Sequence, residues 1–310
     1  ITTDDGQVLK YVSDGSWQAA VSPGTNWVRQ AVETNAWSNA RVIGKYGVAP
    51  WGSVESDVIY LPPAPYLRTT FREKPKLLRA TIYASALGLT DVYLNGQRVS
   101  KDFFTPGWTD YDRRVHYRTY DVTKLLRQGE NALGAVLADG WYSGYIGYAG
   151  QRDYYGKLPR VRIQLQLDYA DGSHQIIGTG PGWKATTGPV LEADFLKGET
   201  YDARKELTGW DEPGYDDTGW QPVVIGSEEH PLMQADPGPP VRVIAEFKAK
   251  TIREPKPGIY VMNLGQNFAG IARLKISGHR GQKITLRFGE RLKPDGTVYT
   301  ANLRTARSTD

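Results

Sequence analysis

Acid–base catalysis by a carboxyl pair needs two acids held on opposite sides of a reacting bond. The adjacent pairs Asp4-Asp5 and Asp216-Asp217 do not meet that need. Both lie in turn contexts and read as solvated turn acids. The four histidines, His116, His174, His230 and His279, are scattered and lack the spacing of a metal site. Ser143 follows Trp141-Tyr142 and has no Gly-x-Ser-x-Gly elbow around it. The GTGPG run at 178–182 contains Gly-x-Gly, but Pro181 and the lack of a following helical pattern argue against a phosphate cradle. There is no Cys, which excludes disulfides, thiolate metal sites and Cys nucleophiles.

The chemistry that survives is that of rings beside oxygens. Residues 90–147 are dense in aromatics that sit next to Gly, Asp and Asn rather than in apolar runs. An aromatic face suits the C–H side of a sugar ring, and amide or carboxylate groups suit its hydroxyls. Two loops offer both: Asp139-Gly140-Trp141-Tyr142, and DFLKGETYD at 194–202. Trp108, in Pro106-Gly107-Trp108, reads as a core plug at a corner. Trp210 and Trp220, each in a Gly-rich turn, also read as structural, and Tyr117 as core.

Such loops need a rigid frame, and the frame is legible as strands. Asn95-Gly96 is a two-residue hairpin turn, because both central positions of a type I′ turn need positive φ. Residues 91–94 precede it and 97–99 follow. Residues 113–122 alternate, with Val115, Tyr117, Thr119 and Asp121 on one face and Arg114, His116, Arg118, Tyr120 and Val122 on the other. Residues 133–137 form a short apolar run with Gly134 inside it, the pattern of a buried strand. Residues 66–72 and 77–87 are further strands, the second alternating through Leu78, Ala80, Ile82 and Ala84. Residues 161–169 put Val161, Ile163, Leu165 and Leu167 on one face; Asp171-Gly172 turns the chain into a return strand at 175–178. Only residues 26–34 have the look of a helical turn or two.

Composition agrees with a turn-rich β protein. The 310 residues include 34 Gly and 19 Pro, and the rings are mostly polar-tipped, 19 Tyr and 9 Trp against 7 Phe. A net charge of +4 from interspersed residues argues against a nucleic-acid partner. No apolar run is long enough to span a membrane, and no signal peptide is visible at the N-terminus. The stiff segments Pro62-Pro63-Ala64-Pro65 and Pro237-Gly238-Pro239-Pro240 mark boundaries. They divide the chain into a partial sandwich at 1–61, a jelly-roll domain at 62–235 and the start of another sandwich at 236–310. An echo supports the first division: Asp5-Gly6 and Asp171-Gly172 each lie 12 residues before a Trp, Trp17 and Trp183. The first copy then corresponds to the C-terminal half of a jelly roll. In the last segment, 241–247, 259–262, 270–276 and 283–289 read as strands.

VYLNGQRV, FTPGWTDYDRRVHYRTYDVT, GENALGAVLADGWYSG, GPVLEADFLKGETYDAR and GWDEPGYDDTGW together resemble the N-terminal β-domain of bacterial α-L-rhamnosidases, glycoside hydrolase family 78. LGQNFAG, FGERL and DGTVYTANLR extend the resemblance into 264–304. It implies an all-β chain of tandem jelly-roll or β-sandwich, galactose-binding-like domains, without the family's catalytic (α/α)6 barrel, where its inverting carboxylates reside. The implied partners are L-rhamnose-containing glycosides or polysaccharides and a downstream catalytic domain. The implied location is bacterial, periplasmic or secreted. Some members carry a calcium-dependent rhamnose-binding module, and calcium takes oxygen ligands from loops. On that footing Asp139 and Asp194 are the candidate calcium donors. Trp141, Tyr142, Asp194, Glu199, Tyr201 and Asp202 are the candidate sugar contacts, with Trp141 and Tyr201 as stacking rings. The competing reading has Trp141 and Tyr201 plugging the end of the sandwich, while Glu199 and Asp202 pair with Arg204 or Arg152. A stand-alone carbohydrate-binding protein and a purely structural sandwich remain as alternative functions.

Overall fold

The computed structural model describes residues 14–20, 37–42, 61–146, 151–226, 232–279 and 281–303. The chain divides into two compact units, 1–60 and 61–310. In the first, β1 (Gln18–Ala19) and β2 (Ser38–Asn39) pair antiparallel. The helical turns expected at 26–34, the Asp4-Asp5 pair, the Asp5-Gly6 landmark and His230 lie outside the described residues.

The second unit is built on β3 (Pro65–Glu73), β4 (Leu77–Leu87), β5 (Leu89–Leu94), β6 (Gln97–Arg98), β7 (Arg114–Asp121) and β8 (Gly129–Ala138). It continues with β9 (Arg160–Tyr169), β10 (His174–Gly178), β11 (Lys184–Thr187), β12 (Val190–Asp194), β13 (Gly198–Tyr201), β14 (Gln221–Pro222) and β15 (Leu232–Ala235). One sheet has the order β10-β9-β4-β7-β15 and the other β14-β11-β3-β8-β5-β6. Neighbours are antiparallel except β15, which runs parallel to β7. The expected all-β sandwich is therefore present. Among the described residues α-helix is confined to one turn, α1 (Gly140–Ser143).

Strand alternation explains the core. Ala80, Ile82 and Ala84 of β4 and Ile163, Leu165 and Leu167 of β9 meet Val92 and Leu94 of β5 and Leu133 and Ala135 of β8. Period-2 side-chain placement sends these sets inward together. Leu78 departs from its expected face and is 66% exposed. The β4–β9 register shifts between Leu77 and Arg79. The extra residue turns Leu78 outward, while Leu77 packs on the core. In β7 the core-facing residue is Tyr120, followed by Val122 just past the strand. Tyr117, expected in the core, instead meets Tyr83 edge-on with centroids 6.2 Å apart.

The Asn95-Gly96 turn forms as expected, with φ of 52° and 80° and Leu94 paired to Gln97. Asn95 also works inside the fold. Its Nδ2 donates to the Asn131 Oδ1 at 2.6 Å and to the Leu125 carbonyl at 2.9 Å, and its Oδ1 accepts from the Ala132 N–H at 2.9 Å. Asn131 is fully buried and closes the network through the Arg127 and Gly129 carbonyls. Both amides are thus satisfied, as burial requires.

The outer side of the six-stranded sheet is roofed by residues 207–220. Trp210 and Trp220 are buried there with Tyr66, against Tyr93, Val136, Leu207 and Tyr215. Their structural role is as expected. Trp210 lies edge-on to Tyr66 and Tyr93 and stacks on Trp220.

Beyond 236 the chain forms β16 (Thr251–Lys256) with β17 (Ile259–Asn263), and β18 (Arg291–Leu292) with β19 (Val298–Tyr299). The strands expected at 241–247, 270–276 and 283–289 are not formed. Val241 makes only an isolated bridge to Phe103, Arg287 sits in a single bridge, and residues 270–276 carry no strand assignment. Their apolar side chains, Val243, Ile244, Ile271 and Ile276 among them, stay exposed.

Gly134 is the position where the roof leaves no room. A Cβ there would meet Trp210 ring carbons at 2.5 and 2.7 Å. An indole wedged between two tyrosines and a second indole cannot swing aside. Gly134→Ala is expected to destabilise the protein by about 1–3 kcal/mol, read as a lowered denaturant midpoint. An unchanged midpoint would show that the ring can yield.

Candidate functional site

Three loops converge at one end of the sandwich. The first, 103–111, follows β6 and contributes Phe104 and Trp108. The second is α1, whose single turn presents Trp141. The third is the tip of the β12–β13 hairpin, where Asp194 pairs with Gly198 and Phe195 projects. The Trp141 and Phe195 centroids are 4.3 Å apart, and Phe195 and Phe104 are 5.2 Å apart. Phe104 meets Trp141 edge-on at 6.2 Å, and Trp108 lies nearly parallel to Trp141 at 6.4 Å. Tyr155 contacts Tyr111 and Tyr154.

Trp108 corrects the expectation of a core plug, being 60% exposed. Its backbone is what the corner holds: the preceding Gly107 carbonyl accepts from the Tyr111 hydroxyl at 3.3 Å. Phe104 is 46% exposed. Tyr142, expected as a ligand contact, is buried with Tyr111 and Val115 and meets Tyr111 edge-on at 5.4 Å. Adjacent residues in a helical turn diverge, so exposing Trp141 sends Tyr142 inward.

The acids beneath the rings are engaged. Asp139 is 4% exposed. Its Oδ2 accepts from Arg152 Nη2 at 2.8 Å, and its Oδ1 from the Ser143 hydroxyl at 3.3 Å. Burial pushes the Asp139 carboxyl above its ordinary pKa, while Arg152 and Ser143 pull it back and Asp194 adds to the rise. Asp194 and Asp139 are therefore near one another, as the sequence reading required. Asp194 Oδ2 accepts from the Tyr145 N–H at 2.8 Å, and Oδ1 from the Leu196 and Lys197 N–H groups at 2.8 and 2.9 Å. These contacts tie the hairpin tip to the α1 turn. A cation at Asp139 would face the Arg152 guanidinium, and Asp194 already holds three backbone donors. The two do not fit a calcium site. Among the described residues no group of three His, Asp or Glu could hold a metal ion.

Tyr201 and Asp202 lie at the end of the hairpin away from Phe195. Tyr201 pairs with Val190 at the base of the hairpin, whereas Asp194 and Gly198 form its tip. Three further residues of strand put about 10 Å between the two ends. The Tyr201 hydroxyl donates to Glu206. Glu199 lies close to Tyr66, whose hydroxyl is pushed up to about 12 by burial, then by Tyr93, Glu206 and Glu199. Asp202 pairs with Arg204 at 2.7 Å and is held down to about 2 by hydrogen bonds from Arg204. Of the competing expectation, the Asp202–Arg204 pair is present, whereas Tyr201 is exposed rather than a plug. Phe104 and Phe195 were missed in sequence. Phe195 carried a signal, since it directly follows Asp194 in the same loop. Phe104 carried none.

Residues 75–245 match the family described as alpha-L-rhamnosidase N-terminal domain, and residues 253–310 match the bacterial alpha-L-rhamnosidase concanavalin-like domain. An alpha-L-rhamnosidase of Streptomyces avermitilis is 45% identical over 313 residues, covering 100% of this chain and 30% of that protein. Among solved structures, Streptomyces avermitilis alpha-L-rhamnosidase complexed with L-rhamnose superposes with a TM-score of 0.88 at 45% identity, over 100% of this chain and 30% of its own. The alpha-L-rhamnosidase of Aspergillus terreus superposes with a TM-score of 0.75 at 36% identity, over 83% of this chain and 30% of its own. The chain thus spans about 30% of the length of these relatives. No helix among the described residues is long and apolar enough to cross a membrane.

Asp139 generates a pH-dependent expectation. Its folded pKa is raised, so its contribution to stability is complete below the ordinary carboxylate range and is lost as pH rises through the shifted value. Arg152→Met removes the partner of this buried carboxylate, at an expected cost of about 3–5 kcal/mol near neutral pH. The cost should shrink as the pH is lowered into the ordinary carboxylate range, because a protonated Asp139 needs no cation. A loss of the same size at neutral pH and in that range, measured by denaturant titration, would contradict the assignment.

Proposed function

The chain belongs to the alpha-L-rhamnosidase N-terminal domain family, and from that membership we propose that it is the non-catalytic β-portion of a longer α-L-rhamnosidase. The whole enzyme hydrolyses terminal α-L-rhamnosyl linkages in glycosides and polysaccharides with inversion, and this portion supports its catalytic domain. The observation that carries the reading is one alignment. It runs along 100% of this chain at 45% identity, yet takes up 30% of an alpha-L-rhamnosidase.

The chemistry of the described acids supports a non-catalytic role. An inverting glycosidase needs one protonated carboxyl and one free carboxylate about 6.5–9.5 Å apart, with room for water between them. Four of the buried or half-buried acids here are committed to cations. Asp139 pairs with Arg152, Asp217 with Arg68 and Lys184, Asp102 with Arg242, and Asp236 with Arg118. A carboxyl engaged by a guanidinium is not free to reach a leaving oxygen or an attacking water. Asp216, the neighbour of Asp217, accepts from Thr218 in its own turn, and that bonding holds its pKa below the ordinary value.

Purified 310-residue chain is expected to release no phenol from an aryl α-L-rhamnoside, whereas the longer protein that contains it releases phenol with inversion at the anomeric carbon. Turnover by the chain alone would overturn its non-catalytic role. Failure of the longer protein to act on any α-L-rhamnoside would overturn the proposed substrate.

A further inference from the structure

Among the described residues, three buried side-chain atoms have no hydrogen-bond partner: Thr90 Oγ1, His116 Nδ1 and Arg118 Nε. Strand alternation sends all three toward the same interior. On β5, Thr90 shares its face with Val92 and Leu94, which lie in the inter-sheet core. On β7, Arg118 stands opposite Ala84, another core residue, and His116 lies two positions earlier on the same face. Both sheets therefore turn unpaired polar atoms inward. Thr90 also borders a small cavity of about 10 Å³, walled by Ala84, Thr90, Ser100, Asp102, Thr105 and Tyr120. That is room for about one water molecule. We propose that this cavity is a binding site for a single internal water, which takes the hydrogen bond of Thr90 Oγ1 and ties β5 to residues 100–105.

The unpaired hydroxyl is the first argument. The Thr90 main chain is already served. Its N–H donates to the Thr105 carbonyl at 2.9 Å, and its carbonyl accepts from the Thr105 hydroxyl at 2.7 Å. Only the Thr90 hydroxyl is left over. Thr90 is 4% exposed, so bulk solvent does not reach it. A buried hydroxyl without a partner lowers stability, and an ordered water relieves that cost where the cavity wall is polar.

The wall is the second argument. An internal water needs roughly two to four polar neighbours. Besides Thr90, three are present. The Ser100 hydroxyl oxygen accepts from the Asp102 N–H at 2.9 Å and keeps its own proton to give. Asp102 uses Oδ1 on Arg242 Nε, which leaves Oδ2 to accept. The Thr105 hydroxyl spends its proton on the Thr90 carbonyl and can still accept.

The third argument fixes the class of ligand. A cation would compete with two guanidinium groups, because Asp102 pairs with Arg242, and Asp91, which also borders the cavity, pairs with Arg98. An anion would meet the same two carboxylates. An apolar guest would leave the Thr90 hydroxyl unpaired. A neutral molecule that both donates and accepts, and is no larger than water, fits the size and the charge.

The test joins denaturant titration of Thr90→Val with a crystal structure of the 310-residue chain. Valine keeps the shape of threonine and removes the hydroxyl. With the water in place, Thr90→Val leaves it short of a partner. The folding equilibrium constant should then fall about tenfold, equivalent to about 1.4 kcal/mol. In a dry cavity the same change removes an unpaired hydroxyl and buries a methyl group, so the constant should rise. The crystal structure should show water density within about 3.2 Å of Thr90 Oγ1. An unchanged or raised constant overturns the site. So does a lowered constant with no density at Thr90 Oγ1, which would assign the loss to packing. If Thr90→Val fails to fold, the parent crystal structure decides: density at Thr90 Oγ1 upholds the site, and its absence overturns it.

Discussion

The Arg68 guanidinium sits on the outer face of the six-stranded sheet with 1% of the residue exposed. Its Nε donates to the Trp210 carbonyl at 2.8 Å and its Nη2 to the Glu212 carbonyl at 3.1 Å. Its Nη1 pairs with Asp217, and its plane lies 5.4 Å from the centre of the Tyr215 ring. Leaving a charge this deep without partners costs several kcal/mol. The sheet and the 207–220 roof therefore depend on each other: the roof supplies every partner that Arg68 has, and Arg68 gives the roof its fixed points. Lys184 on β11 adds a second cation to Asp217 at 2.6 Å, and Arg127 reaches Glu212 at 2.7 Å. The two tryptophans of the roof then fill the space that Gly134 leaves open.

The same device recurs at the far end of the sandwich. Buried acids there are satisfied by an arginine or by backbone donors, and each pairing pins a loop: Asp102 with Arg242, Asp236 with Arg118, Asp139 with Arg152. Large rings on flexible loops would fold inward to shed their contact with water. Anchoring the backbone on either side prevents that, so Trp108 and Phe104 stay outside. The exposed aromatic surface is thus a consequence of how polar groups were buried. This links the packing of the domain to the ring-lined surface at its loop end.

Much of the frame was legible because it depends on local rules. Asn95-Gly96 could only be a tight turn, and the alternation at 161–169 fixed which side chains of β9 face the core. Trp210 and Trp220 were recognisable from their Gly-rich turns. Leu78 was misassigned because a bulge has no signature in alternation. The strands at 270–276 and 283–289 failed to form because a strand needs a partner that period-2 pattern cannot supply. The candidate site was half legible. Trp141 and Asp194 were found from rings beside oxygens, and they are brought together. Tyr142 and Trp108 were exchanged between inside and outside, since burial in a loop is set by contacts remote in sequence. Phe104 became part of the site only through the convergence of three loops that sequence spacing does not encode.

The most direct test of this account is denaturant titration of an Arg68→Met variant. The account predicts a loss of about 3–5 kcal/mol, because the Trp210 and Glu212 carbonyls and the Asp217 carboxylate lose their shared buried donor. A midpoint equal to that of the parent chain would contradict it.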